Sequence, residues 1–170
     1  MLLGLTITSL VILMSYTVAV CIKFGIPTTL SESYYFIYRK YLFTLVMWLS
    51  GFLLLPPIME MTGGDTQIIP FLSIIGIMIV GAAPRYKEQE RTLHIMGATM
   101  AGFFSQLWII LYSYPWTLLT WAILIIWAIG ILIESKLMEW SEELDKRKWF
   151  FWAEMLAFIN LYLNIIFKAL

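Results

Sequence analysis

The sequence predicts an all-α, polytopic integral membrane protein: a compact bundle of about six transmembrane helices forming one domain over residues 1–170. Three observations predict it. Hydrophobic residues make up 61% of the chain and charged residues 13%, against roughly half and a quarter in soluble domains; that excess cannot be hidden in one small water-soluble core. Six apolar stretches come close to the ~20 residues that a bilayer core demands. The connections between them alternate in basic charge, as loops on opposite sides of a membrane do.

The spans fall at about 2–22, 41–60, 67–83, 92–113, 116–134 and 149–168. The first lies in MLLGLTITSLVILMSYTVAVCIKFG, which has no Lys or Arg before its apolar run and so lacks the basic region of a cleaved secretory signal. VAVC departs from a lipoprotein site because Val20 stands where a small residue is expected, so a retained span is predicted. The second span ends in LLLPPIMEM. Pro56 and Pro57 each remove an amide donor, which predicts a helix unwinding at the interface, with a polar opening above Glu60 as the sharper alternative. The third span is the shortest, and Pro70 suits only its first turn.

In the fourth span, His94, Ala98, Ala101 and Ser105 recur at i, i+4, i+7 and i+11, with Gly97 and Gly102 beside them. Small residues let a second helix approach closely, so this is the expected packing face. The fifth span closes on Glu134. The sixth carries Glu154, then Asn160 and Asn164 one turn apart, continuing a stripe from Ala153 and Ala157.

Among the connectors, 23–40 holds Lys23, Arg39 and Lys40; 84–91 holds Arg85, Lys87 and Arg91; 135–148 holds Lys136, Lys146, Arg147 and Lys148; MTGGDTQ and SYPW hold none. The positive-inside rule then places ten of the 11 basic residues in the cytoplasm and both termini on the non-cytoplasmic side; the expected location is a bacterial inner membrane. Trp116, Trp149 and Trp152, with Tyr34, Tyr35, Tyr38 and Tyr41, mark headgroup depth. Lys168 can snorkel outward from the last turn.

Ser31, following Pro27 and preceding Glu32, is the expected N-cap of a short helix. Ser31, Tyr34, Tyr35, Arg39 and Lys40 are therefore lipid-interface candidates, with amides near Ser31 facing phosphate; the plainer alternative is an interfacial foot before the second span. ESKLMEWSEELDKRK offers the pairs Glu142–Lys146 and Glu143–Arg147 at i, i+4, which predict a solvated helical extension of the fifth span. Leu137, Trp140 and Leu144 share one side of it, suited to the bilayer or to a partner protein.

Ionisable residues within spans are costly and usually face a bundle interior or a wet cavity. His94, Glu154 and Glu134, with Arg91, Ser105, Asn160 and Asn164, are accordingly the cavity or ion-pathway candidates. His94 and Glu154 lie about 5 to 8 Å inside their helix starts, a similar depth at which one pocket could hold both. A neighbouring carboxylate favours charging of the imidazole while burial opposes it. The plainer readings are a packed, hydrogen-bonded His94 and two asparagines that glue helices together.

Acidic and basic residues both number 11, which leaves no basic surplus for nucleic acid. One cysteine, Cys21, excludes an intramolecular disulfide and a thiolate zinc site, and one histidine excludes a multi-histidine metal centre. No metal and no cofactor are expected. Ser105 lies about 16 Å from His94 along the helix axis, too far for a local Ser/His pair, and no phosphate loop or EF-hand pattern occurs.

The function these features predict is that of a small channel- or transporter-like protein with a polar inner-leaflet cavity for protons or small ions. A non-catalytic membrane interaction or assembly subunit is the alternative from another class. A lipid-modifying enzyme using His94 as acid or base is the third. Expected partners are membrane lipid and a homo-oligomer or membrane-protein partner.

GAAPRYKEQERTLHIMGA (81–98), with IPTTLSESYY (26–35), resembles a loosely defined set of small polytopic membrane proteins of bacteria and phages. The shared pattern is an apolar span ending GAAP, a short basic loop, then His-x-x-Gly-Ala opening the next span. The set has no assigned activity. The resemblance covers fewer than 30 residues and implies only that His94 and Gly97 belong to a recurring unit.

Overall fold

Long apolar runs fold as helices because a helix satisfies its own backbone, and the computed structural model is helical in every apolar stretch. It describes residues 1–82, 91–135 and 139–170, with the side chains of Asp65 and Arg91 outside that description. Arg85, Lys87 and the basic loop after GAAP, together with Lys136 and Leu137, therefore lie outside the described residues. The helices are α1 Leu2–Phe24, α2 Ser33–Phe36, α3 Tyr41–Thr62, α4 Ile68–Ala82, α5 Arg91–Tyr112, α6 Trp121–Glu134, α7 Trp140–Lys146 and α8 Trp149–Ala169.

Among the described residues, five helical segments are long and apolar enough to cross a membrane: Leu2–Phe24, Tyr41–Thr62, Thr92–Tyr112, Pro115–Glu134 and Trp149–Ala169. The chain is thus a helical protein of multi-pass membrane type. α4, with 15 residues, is about 22 Å long, short of a ~30 Å hydrocarbon core. Pro70 falls in its first turn, where its missing amide costs nothing.

The double proline does not unwind α3, which continues through Pro56 and Pro57 to Thr62. Packing holds the last turns: Leu54, Pro57 and Ile58 are buried, and the Thr62 hydroxyl donates to the Ile58 carbonyl at 2.6 Å. Gln67 Nε2 donates to the Met59 carbonyl at 3.0 Å. The helix stops instead at Gly63, whose φ of 63° suits a residue without Cβ. Glu60 is exposed.

The fifth span is not one continuous helix with a solvated extension. Residues Pro115–Thr120 form a 3-10 turn before α6, and α6 ends at Ser135, whose backbone is extended (φ −104°, ψ 160°). α7 then turns back. Its Trp140 donates from Nε1 to the Ala128 carbonyl at 3.0 Å, and Leu144 is buried with Ala128 and Ile131. This return also redirects the ion pairs. Arg147 keeps the expected pair with Glu143, at 4.0 Å, and adds Glu134 at 2.7 Å, while Lys146 takes Glu143 at 2.6 Å in place of the expected Glu142. Glu142 has no ion pair among the described residues. At this surface site the Lys146 ammonium holds the Glu143 carboxyl below the usual carboxylate range.

α4 packs between α3 and α5. A Cβ built on Gly76 would stand 2.4 Å from the Ala101 nitrogen and 2.6 Å from the Gly97 carbonyl oxygen, so the small residues let the two backbones touch. Ser73 Oγ donates across the same contact to the Ala101 carbonyl at 3.1 Å. On the other flank, α1 meets α3 and α8 through Ser9, whose Oγ donates to the Ser50 carbonyl at 2.9 Å and lies 2.6 Å from the Tyr162 hydroxyl. Leu13, Phe43, Leu54, Trp108 and Ile165 fill the centre and are wholly buried.

Cross-links identify the two ends of the bundle. At one, Trp108 Nε1 near the end of α5 donates to Thr62 Oγ1 at the end of α3, 2.7 Å away; α3 and α5 therefore run parallel, and α4 returns between them. At the other, the 28–30 turn meets the start of α8: Lys148 Nζ donates to Thr28 Oγ1 at 3.3 Å.

Candidate functional site

The turn before α3 is built by its own sequence. Thr29, not Ser31, caps it: Thr29 Oγ1 accepts the Glu32 amide at 3.2 Å, and the Glu32 carboxylate reaches back to the Thr28 amide at 2.5 Å. Ser31 lies inside the 3-10 turn Leu30–Glu32, its hydroxyl 3.1 Å from that of Thr29. Ser33 then donates to the Leu30 carbonyl at 2.5 Å and meets the Tyr16 hydroxyl of α1 at 2.7 Å. These bonds pin the turn, with Leu30 and Pro27 buried, over the end of the bundle.

Beneath it lies a cavity of about 70 Å³, room for roughly two to five waters. α3, α4, α5 and α8 contribute its wall, which is mostly hydrocarbon; its side-chain polar groups are Ser31, Ser105 and Glu154. Glu154 belongs to both the wall and the turn. Its Oε2 accepts the Leu30 amide at 2.5 Å, and its Oε1 has no hydrogen-bond partner among the described residues. A carboxylate among alkyl groups requires pairing or hydration, and here one oxygen has a backbone donor, the other has no hydrogen-bond partner among the described residues, and the residue lines the cavity.

The predicted site residues separate into groups. Ala98, Ala101 and Ser105 from the α5 stripe join Glu154 on the cavity wall. Ser105 is buried, donates to the Gly102 carbonyl at 2.9 Å and receives Gln106 Nε2 at 3.0 Å. His94 is half-buried but is off that wall; it makes no ion pair with Glu154 and no hydrogen bond among the described residues. Arg91 opens α5, and its side chain lies outside the described residues. Glu134 is exposed and paired with Arg147.

Asn160 and Asn164 are buried at the other side of α8 and bind the 114–120 turn. Asn164 accepts the Tyr114 amide at 2.9 Å and donates to Thr117 Oγ1 at 2.8 Å; Asn160 donates to Thr120 Oγ1 at 3.1 Å. Both amides are spent on holding a helix start against α8. Of the lipid-interface candidates, Tyr34 is buried with its ring edge-on to Phe43, centroids 6.2 Å apart, and Lys40 Nζ stands 5.5 Å from the Tyr34 ring centre. Tyr35, Arg39 and Lys40 are exposed. Among the described residues no three His, Cys, Asp or Glu side chains converge.

Two contributors were missed from sequence. The Leu30 amide carries no side-chain signal. Thr29-x-x-Glu32 did carry one, the capping-box spacing, and it correctly identifies the cap that Ser31 was expected to be. Compared with protein-family models, curated proteins and solved structures, the chain shows no significant match.

Proposed function

We propose that this chain is a small transporter-like membrane protein that admits a small cation to the Glu154 cavity from the cytoplasmic side. The observation that carries the proposal is Glu154 on the wall of a mostly hydrocarbon cavity, with one carboxylate oxygen holding the backbone of the adjoining turn and the other without a hydrogen-bond partner among the described residues. Toward the other end, Leu54, Ile58, Trp108 and Ile165 are fully buried, which favours alternating access over an open channel. Six crossings, with both termini on the non-cytoplasmic side of a bacterial inner membrane, fit the parallel α3 and α5 and the basic connectors at one end. The resemblance to small bacterial and phage membrane proteins fits the same location. Lipid is the surrounding partner.

The interaction-subunit alternative draws less support, because Trp140 and Leu144 are turned onto α6. The lipid-modifying alternative lacks a nucleophile bonded to His94 among the described residues.

Liposome flux of protons, K⁺ and ethylammonium tests the proposal. Glu154→Gln is expected to lower flux at least about tenfold, and His94→Ala to leave it within about twofold, with folding of each variant checked by circular dichroism. Wild-type protein that passes none of the three cations at any pH or voltage, or a Glu154→Gln variant as active as wild type, would remove transport from consideration.

A further inference from the structure

We infer that the cation taken by the Glu154 cavity is a small alkylammonium group rather than a metal ion, an inference that rests on the transport reading above and specifies its substrate class. Three properties of the cavity converge on that class. The first is oxygen supply. Calcium needs six to eight oxygens and magnesium a near-octahedral shell, while potassium filters use rings of carbonyls. The side-chain oxygens on this wall belong to Glu154, Ser31 and Ser105; the Ser31 hydroxyl is bonded with that of Thr29, and Ser105 already donates to Gly102 and receives Gln106. A stripped metal ion would be under-coordinated here.

The second is the character of the remaining wall. Ala98, Ala101, Ala157 and the half-buried Phe158 line the same cavity as Glu154. An alkylammonium carries three N–H donors, as the lysine head does. It can give one to the Glu154 carboxylate in a charge-assisted bond and lay its carbon chain against the alanines, with the aromatic Phe158 on the same wall. The third is size. About 70 Å³ accepts two to four heavy atoms at roughly 20–30 Å³ each, using the volume of a liquid water as the upper guide. The same chemistry occurs in a free short amine and in the ethanolamine head of a phospholipid.

Equilibrium dialysis of radiolabelled ethylammonium against the full chain in phosphatidylcholine nanodiscs tests the inference. Saturable binding is expected, weakened at least about tenfold both by Glu154→Gln and by Ala157→Phe, which fills the cavity and keeps the carboxylate. A hundredfold excess of K⁺ is expected not to displace the amine. Loss of that binding in phosphatidylethanolamine nanodiscs would identify the lipid headgroup as the source of the ammonium group; retention would identify the free amine. Absent saturable binding, binding equal in wild type and Glu154→Gln, or displacement by an equal concentration of K⁺ would each overturn the inference. Ethylammonium binding without flux of any cation would keep the ligand class and retire transport. Glu154-dependent proton or K⁺ flux without ethylammonium binding would do the reverse.

Discussion

At Gly76 a single hydrogen atom sets how closely α4 and α5 approach. A methyl group there would press on the Ala101 nitrogen at 2.4 Å and the Gly97 oxygen at 2.6 Å, backbone atoms that cannot rotate aside. Gly76→Ala is expected to destabilise the detergent-solubilised protein by about 1–3 kcal/mol through overpacking. Gly130→Ala, with nothing within 4 Å of its Cβ, is expected to melt at or slightly above wild type. Thermal circular dichroism compares them, and identical melting of the two variants would refute the close-contact account. Half of this contact was legible in sequence. Gly97 stood beside a stripe of small residues on a helix that also carries several polar ones, whereas α4 has Ser73 as its one hydroxyl among apolar residues, a weaker mark of the face that Gly76 shares. Glu154 was legible for a different reason: a carboxylate in a span is expensive wherever it points. Its partner, the Leu30 amide, is backbone, which sequence does not mark. His94 was conspicuous by the same cost argument, yet it lies off the cavity wall, since rarity along a chain carries no direction in space.

The elements show where local rules held and where tertiary contacts displaced them. The expected second span at 41–60 became Tyr41–Thr62, and the sixth at 149–168 became Trp149–Ala169, because hydropathy length fixes such segments. The 134–148 stretch was misjudged. Its i, i+4 charges suggested a continued helix, but a solvated pair is worth only ~0.3–0.5 kcal/mol, less than burying Leu144 and bonding Trp140 to α6. Leu144→Ala is accordingly expected to cost about 2 kcal/mol, the low end for a buried leucine, and to speed amide exchange across Trp140–Lys146. Hydrogen exchange read by mass spectrometry checks it, and unaltered exchange in that segment would mean that α7 is held by something other than this contact. The same burial argument explains α3, where packing of Pro57 and Ile58 outweighs two missing amide donors.

For the molecule as a whole, the crossing number depends on α4. If α4 crosses, the connectors at 23–40 and 135–148 lie on one side of the membrane; if it does not, every later segment is inverted and they lie on opposite sides. Two bonds tie these connectors to neighbouring positions: Lys148 to Thr28 at 3.3 Å, and Leu30 to Glu154, five residues into α8, at 2.5 Å. We propose on these bonds that the connectors share a side and that α4 crosses, although its 15 described residues span about 8 Å less than the hydrocarbon core. The shortfall is affordable because α3 and α5 flank α4, so its ends meet protein as well as lipid, and mismatch costs only fractions of a kcal/mol per Å. The test replaces Cys21 with Ser and introduces one cysteine at a time at exposed positions: Tyr38→Cys, Thr66→Cys and Ser141→Cys. A membrane-impermeant maleimide applied to intact bacterial cells is expected to label Thr66→Cys alone, with Tyr38→Cys and Ser141→Cys labelled only after permeabilisation. Labelling of Ser141→Cys but not Tyr38→Cys in intact cells would show an odd number of crossings, place the two connectors apart and undo the Glu154 cavity with them.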